Sequence, residues 1–159
     1  MRIYLVQHGQ AKSEDVDPGR HLTQKGIDDA MKMSAFLKNA GLHVDAIWHS
    51  GKTRAAQTAD ILAAGIAADQ GIIQHDGLAP NDDIGLIKDE LLQSNLDLMI
   101  VGHLPFLSKL ASSLVIGDES AGTVTFQQGG VVCLEQDQAK LWTVRWMVVP
   151  ELLSTEQFR

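Results

Sequence analysis

The sequence predicts an α/β fold: a single-domain three-layer sandwich with a mainly parallel central sheet, helices on both faces and a C-terminal antiparallel hairpin. Two observations lead there. Short continuous apolar runs, RIYLV, DAIW and DLMIV, alternate with stretches of helical periodicity through about residue 116. That is the pattern of strands covered on both faces by crossover helices. Beyond it, GVVCL and LWTVRWM are strand-like runs joined by EQDQAK, a connection short enough for a hairpin and too short for a parallel crossover.

Taken in order, Arg2 to Val6 is the first strand, and Gln7, His8 and Gly9 end it with polar and flexible residues. The charged stretch from Lys12 to His21, with Pro18 and Gly19, reads as a loop. Thr23 is suited to N-capping, and Ile27, Ala30, Met31, Ser34 and Leu37 then recur at helical spacing until Gly41. Asp45 to Trp48 is a second strand, followed by HSGKTRAAQTADILAAG, where Ala55, Thr58, Ala59 and Leu62 form the apolar face of a helix ending before Gly65. Gly71 to Gln74 is a third strand, HDGLAPNDD is turn chemistry, and Ile84, Ile87 and Leu91 line a helix ending near Asn95. Asp97 to Val101 is the clearest buried strand. After GHLP, with Pro105 suited to a first turn, Phe106, Leu107, Leu110 and Leu114 give another helix. Val124 to Phe126, Gly130 to Leu134 and Leu141 to Met147 read as strands, and the closing PELLSTEQFR stays open between a tail and a cover for a sheet edge. No repeat, low-complexity tract or linker interrupts residues 1–159, so one domain is expected.

The formal net charge of -7 argues against a nucleic-acid surface, because the 13 Lys and Arg are scattered rather than gathered in a stripe. An anionic ligand therefore needs a local pocket of positive potential. The lone cysteine, Cys133, lies in an apolar run and has no partner for an internal disulfide, which fits a reduced, cytoplasmic protein. Only four apolar residues follow Arg2 before Gln7, far short of a signal-peptide core or a membrane span.

In open α/β sheets ligands gather beyond the carboxyl ends of the strands. QHG, HSGKTRAAQT and GHLP occupy that position after three different strands and bring His8, Arg54 and His103 towards one place. His21, His43, His49 and His75 are read as hydrogen-bonding or capping residues. A three-histidine metal site from His8, His49 and His103, with Asp82 or Asp83 nearby, is disfavoured because no pair stands at i, i+3 or i+4 on one helix. GHLPFLSK lacks the second glycine and the Gly-Lys-Ser/Thr ending of a Walker-type phosphate loop. No metal and no cofactor are expected.

LVQHG at residues 5–9, LTQKG at 22–26, SGKTRAAQTA at 50–59 and VGHLP at 101–105 resemble, in order and spacing, the histidine phosphatase (phosphoglycerate mutase-like) superfamily, and within it the small SixA-type phosphohistidine phosphatases. The resemblance implies that His8 is the nucleophile that is transiently phosphorylated, that Arg54 clamps the phosphoryl oxygens and that His103 donates a hydrogen bond to them. The residue types suit those roles: neutral imidazole is a capable nucleophile near neutrality, and a guanidinium at a helix N-terminus matches phosphate. Gln7 departs from the usual Arg-His-Gly pattern. It retains a hydrogen-bond donor for phosphate but brings no charge, so weaker phosphate binding is expected unless Lys12 or Arg20 compensates; a solvated loop is the favoured reading for both.

The carboxylate beside the second histidine found in larger members is missing, since Leu104 follows His103, and Asp82 and Asp83 are read as helix-capping residues. A missing acid matters least when the leaving group is an imidazole, far less basic than an alkoxide. The resemblance therefore implies a metal-independent phosphohistidine phosphatase, with a phosphohistidine-bearing protein such as a phosphotransfer domain as partner. A phosphatase for small phosphate compounds and a weakly catalytic phosphate-binding module are the alternatives. No nucleic acid or membrane partner is expected.

Overall fold

A computed structural model describes residues 1–154 of the chain. Six strands form one sheet: β1 (Arg2–Gln7), β3 (Ala46–His49), β5 (Ile72–Gln74), β6 (Leu98–Gly102), β7 (Val131–Gln136) and β8 (Trp142–Val148), in the spatial order β5-β3-β6-β1-β7-β8. The first four in that order run parallel, and β7 and β8 are antiparallel to their neighbours. Two short strands, β2 (His43–Val44) and β4 (Ala67–Ala68), pair separately in parallel. The expected α/β architecture, with its late hairpin, is the one observed.

Side chains alternate across the pleat, so each buried strand feeds two cores. On one face Ile3, Leu5, Leu98 and Ile100 pack with Ile87 and Leu91 of α3 (Gly85–Ser94) and Phe106, Leu107 and Leu110 of α4 (Phe106–Ile116). On the other, Tyr4, Val6, Met99 and Val101 meet Met33 and Leu37 of α1 (Gln24–Asn39) and Ala55, Ala59 and Leu62 of α2 (Thr53–Ala63). Each aliphatic side chain fully buried this way contributes about 1.5–3 kcal/mol. No helix among the described residues is long and apolar enough to cross a membrane.

Thr23 caps α1 by accepting from the Gly26 amide at 3.1 Å. The face of α1 is turned from the expected one: Met33 is fully buried and Met31 is exposed, because Gly26, Ala30, Met33 and Leu37 set the contact line against the sheet. Val124 to Phe126 does not form a strand. Val124 and Phe126 pack against the α3/α4 core while Thr125 is exposed, which imitates a strand's alternation without a ladder partner. Of PELLSTEQFR, Pro150–Leu152 forms a 3-10 turn against α1 and Leu153 packs at the α1/α2 core, so the described part covers a helix rather than a sheet edge; residues 155–159 lie outside the described residues.

Strand register sets the position of the site. Gln7 pairs with Gly102 across β1 and β6, and His49 pairs with Val101 across β3 and β6. Gln7 and Gly102 thus lie at one level, with His8 and His103 one residue beyond it at the carboxyl edge.

Candidate active site

His8 leaves β1 with its backbone amide bonded to the Gly102 carbonyl at 3.0 Å, which ties the β1 exit to the β6 exit. Its Nδ1 lies 2.7 Å from the Gly9 carbonyl oxygen. A carbonyl only accepts, so Nδ1 carries the proton and Nε2 keeps the lone pair. Burial lowers the pKa of the ring, the Gly9 contact opposes this, and the charges of Arg54 and Arg20 add to the lowering. His8 is therefore neutral, with a bare Nε2, at pH 7.

His103 is 1 % exposed, and its ring centroid lies 5.1 Å from that of His8. Its pKa is pushed down to about 3, first by burial and then by Arg54, His8, Lys52 and Arg20. Its Nε2 is hydrogen-bonded to Ser50 Oγ at 2.6 Å, whereas its Nδ1 is buried without a partner. Arg54 stands in the first turn of α2, whose cap residue Lys52 makes no side-chain cap bond. Burial followed by Arg20 lowers the Arg54 pKa, and the guanidinium Nε is buried without a partner. Gln7 continues the Ile3 and Leu5 side of β1, its carbonyl accepts from the Gly129 amide at 2.9 Å, and its Oε1 is likewise buried and unpartnered.

Two glycines and a threonine hold this arrangement tight. The Gly9 amide donates to Thr58 Oγ1 at 3.0 Å, and that hydroxyl donates to the Arg54 carbonyl at 2.8 Å, which joins the His8 loop to the first turn of α2. A Cβ on Gly26 would come within 2.2 Å of the Gln10 carbonyl oxygen, so α1 approaches the loop after His8 more closely than any side chain allows. Gln57 Oε1 accepts from the Leu22 amide at 2.8 Å and fixes the LTQKG segment to α2. Sequence reasoning placed Thr58 on an apolar face and gave Gln57 and Ser50 no part; a hydroxyl among the alanines of that face was the available signal.

The remaining candidates are engaged elsewhere or lie at the rim. Asp82 accepts from the Ala79 amide and Asp83 from the Gly85 amide, but neither is the expected cap: the N-cap of α3 is Ile84, which makes no side-chain cap bond, and the two carboxylates tie the turn before the helix instead. His21, His43 and His75 are hydrogen-bonded to Asp17, Asp69 and Glu90, with His75 also stacked on Trp48 at 4.1 Å, and His49 Nδ1 accepts from the Gly51 amide. Among the described residues no group of three His, Cys, Asp or Glu is placed to hold a metal ion. Lys12 is exposed. Arg20, in the same loop, is half-buried and held in left-handed backbone at φ 48; it donates from Nε to the Lys12 carbonyl at 3.1 Å, and its charge contributes to lowering the pKa values of His8, Arg54 and His103.

The chain matches the model of the histidine phosphatase superfamily (branch 1) over residues 3–80. It is 30% identical over 151 residues to an uncharacterized protein of Picosynechococcus sp. (strain ATCC 27264 / PCC 7002 / PR-6), spanning 89% of this chain and 88% of that one. Among solved structures it resembles the protein histidine phosphatase SixA complexed with tungstate, with a TM-score of 0.84 at 22% identity, covering 97% of this chain and 100% of that one. It also resembles the alpha-ribazole phosphatase from Shigella flexneri, with a TM-score of 0.71 at 16% identity over 94% and 97% of the two chains. With the fold, the strand-end motifs and the matched segment in agreement, the chain belongs to the histidine phosphatase superfamily.

Proposed function

We propose that the chain is a phosphatase that removes the phosphoryl group from phosphohistidine on a partner protein, through a phospho-His8 intermediate and without a metal ion. One observation carries the reading. Buried polar atoms are nearly always paired, yet Gln7 Oε1, Arg54 Nε and His103 Nδ1 are buried without partners, and they belong to the residues around the free Nε2 of His8. A phosphoryl group supplies acceptors for Arg54 and His103. Turning the Gln7 amide about its last torsion presents its NH2 group to the same ligand.

In the first step the His8 Nε2 lone pair attacks phosphorus, the bond from phosphorus to the substrate's imidazole nitrogen breaks, and that nitrogen takes up a proton from solvent water. Water then attacks the phosphorus of phospho-His8, the bond to Nε2 breaks and inorganic phosphate leaves. Arg54 holds the equatorial oxygens by its planar fork, with His103 and Gln7 as neutral donors, so the site acts by positioning and charge stabilisation. Asp82 and Asp83 are occupied by the loop before α3, which favours a substrate whose leaving group needs little protonation. The likeness to SixA, solved with an oxyanion bound, supports the same substrate class.

Incubation with a phosphohistidine protein is expected to release phosphate in the presence of excess EDTA, and His8→Ala to abolish the release. Full activity in that variant would sink the mechanism, and complete loss in EDTA would sink its metal independence. The likeness to an alpha-ribazole phosphatase supports a second reading, a small phosphate ester as substrate. Turnover of phosphoramidate above that of an aryl phosphate and a sugar phosphate supports phosphohistidine; the reverse order supports the ester.

A further inference from the structure

We propose that Ser50 is a positioning residue that donates its hydroxyl proton to His103 Nε2, forcing the ring's proton onto Nδ1, where it faces a phosphoryl oxygen of the substrate. The inference rests on the phosphatase reading for the identity of that oxygen, but the tautomer follows from the protein alone. Ser50 Oγ has one proton to give and accepts from the Lys52 amide at 3.3 Å, so one lone pair is already engaged at the start of α2. Its contact with His103 Nε2 is short, 2.6 Å. Two arrangements satisfy that contact. If Nε2–H donates to Oγ, the Nδ1 lone pair is left buried with no donor, and it repels any anion bound beside it. If Oγ–H donates to Nε2, Nδ1 becomes an N–H with no acceptor of its own until a ligand arrives.

Only the second arrangement leaves the neutral ring, which its burial requires, with an N–H that Ser50 does not already use. The unperturbed histidine side chain favours the opposite tautomer, with the proton on Nε2, so the choice has to be imposed by a neighbour. His8 is held in the same Nδ1–H form by the Gly9 carbonyl, for the opposite purpose: there the bare Nε2 attacks, and here the occupied Nδ1 donates. Register pairs His49 with Val101 at the ends of β3 and β6, so Ser50 leaves β3 beside the segment that carries His103, and a serine at that exit reaches this ring.

The test uses the full chain labelled with nitrogen-15, and long-range proton–nitrogen correlation spectra of the histidine rings at pH 7. In the unmodified protein His103 is expected to show a protonated Nδ1 and an unprotonated Nε2. In Ser50→Ala the ring is expected to revert to Nε2–H or to a mixture, with inorganic phosphate binding weakened about tenfold for the lost charge-assisted bond. Ser50→Thr, which keeps the hydroxyl, should restore both. An Nε2–H ring in the unmodified protein overturns the inference whatever the variants do, as does an unchanged tautomer in Ser50→Ala. If instead the tautomer results hold but the unmodified protein turns over no phosphoryl donor, the phosphatase reading fails and the role of Ser50 stands.

Discussion

At residue 7 a neutral amide occupies the position of the arginine in the Arg-His-Gly pattern. Its consequence is local and electrostatic: the cations that act on the His8 ring are Arg54 and Arg20, and the second of these reaches the site from the loop before α1. Gln7→Arg is expected to tighten inorganic phosphate binding about tenfold, the scale of a charged over a neutral hydrogen bond. Titration calorimetry checks it, and a loss of affinity would show that the pocket is built around the amide and Arg20. Arg20→Ala is expected to weaken phosphate more than Lys12→Ala, measured the same way. The pH behaviour is also decided here. Because burial and neighbouring cations hold His8 below the ordinary histidine value, the acid limb of kcat/KM should fall below pH 6.5 rather than at it. For Arg54→Lys, a point charge in place of a fork is expected to lower kcat/KM at least tenfold. That His8, Arg54 and His103 come from neighbouring strand ends was legible from strand-end placement, whereas Gln7 stood out only through the family resemblance. Arg20 was legible beside Lys12 as a candidate compensating charge, but the choice between them depends on a left-handed backbone that no local pattern announces, and the contact of Ser50 with His103 was not foreseen at all.

Among the elements, the junction of the His8 loop with α1 and α2 carries the geometry. Gly26→Ala drives a Cβ against the Gln10 carbonyl, a backbone atom that cannot swing aside. The variant is expected to lose about 1–3 kcal/mol of stability, read from urea unfolding, together with most activity. Thr58→Val keeps the shape but leaves the buried Gly9 amide without its acceptor. It should cost about 1–3 kcal/mol and lower kcat more than it raises KM, because it loosens the nucleophile loop. The helices themselves were readable: the buried face of α2 is Ala55, Thr58, Ala59 and Leu62, as periodicity indicates. The face of α1 was misjudged at Met31 because two methionines two residues apart fit a helical stripe equally well, and only contact with the sheet chooses Met33. Val124 to Phe126 misled for a related reason: alternation records burial against α4 as faithfully as it records a strand.

Across the whole molecule, three buried histidines, His8, His49 and His103, have pKa values lowered by burial. The unfolded chain protonates them below pH 6.5 while the folded chain resists, for His103 down to about pH 3. Stability therefore falls as pH drops through that window, the unfolded state binding more protons. His43, held up by Asp69 at the surface, works in the opposite sense and is exposed. Urea midpoints measured from pH 7 to pH 4.5 should decline, and His103→Asn should flatten the decline. Against a net charge of -7, Arg54, Arg20 and Lys52 act together on His103, the local positive potential that an anionic ligand of an acidic protein needs.

The most direct measurement is rapid acid-free quench of the chain with a phosphorus-32-labelled phosphohistidine protein, followed by peptide mapping of the label. Label is expected on His8, appearing before free phosphate and absent from His8→Ala, which releases none. Phosphate release with no label at His8, or turnover retained by His8→Ala, would contradict the account; tight phosphate binding with neither label nor release would make the protein a binding module.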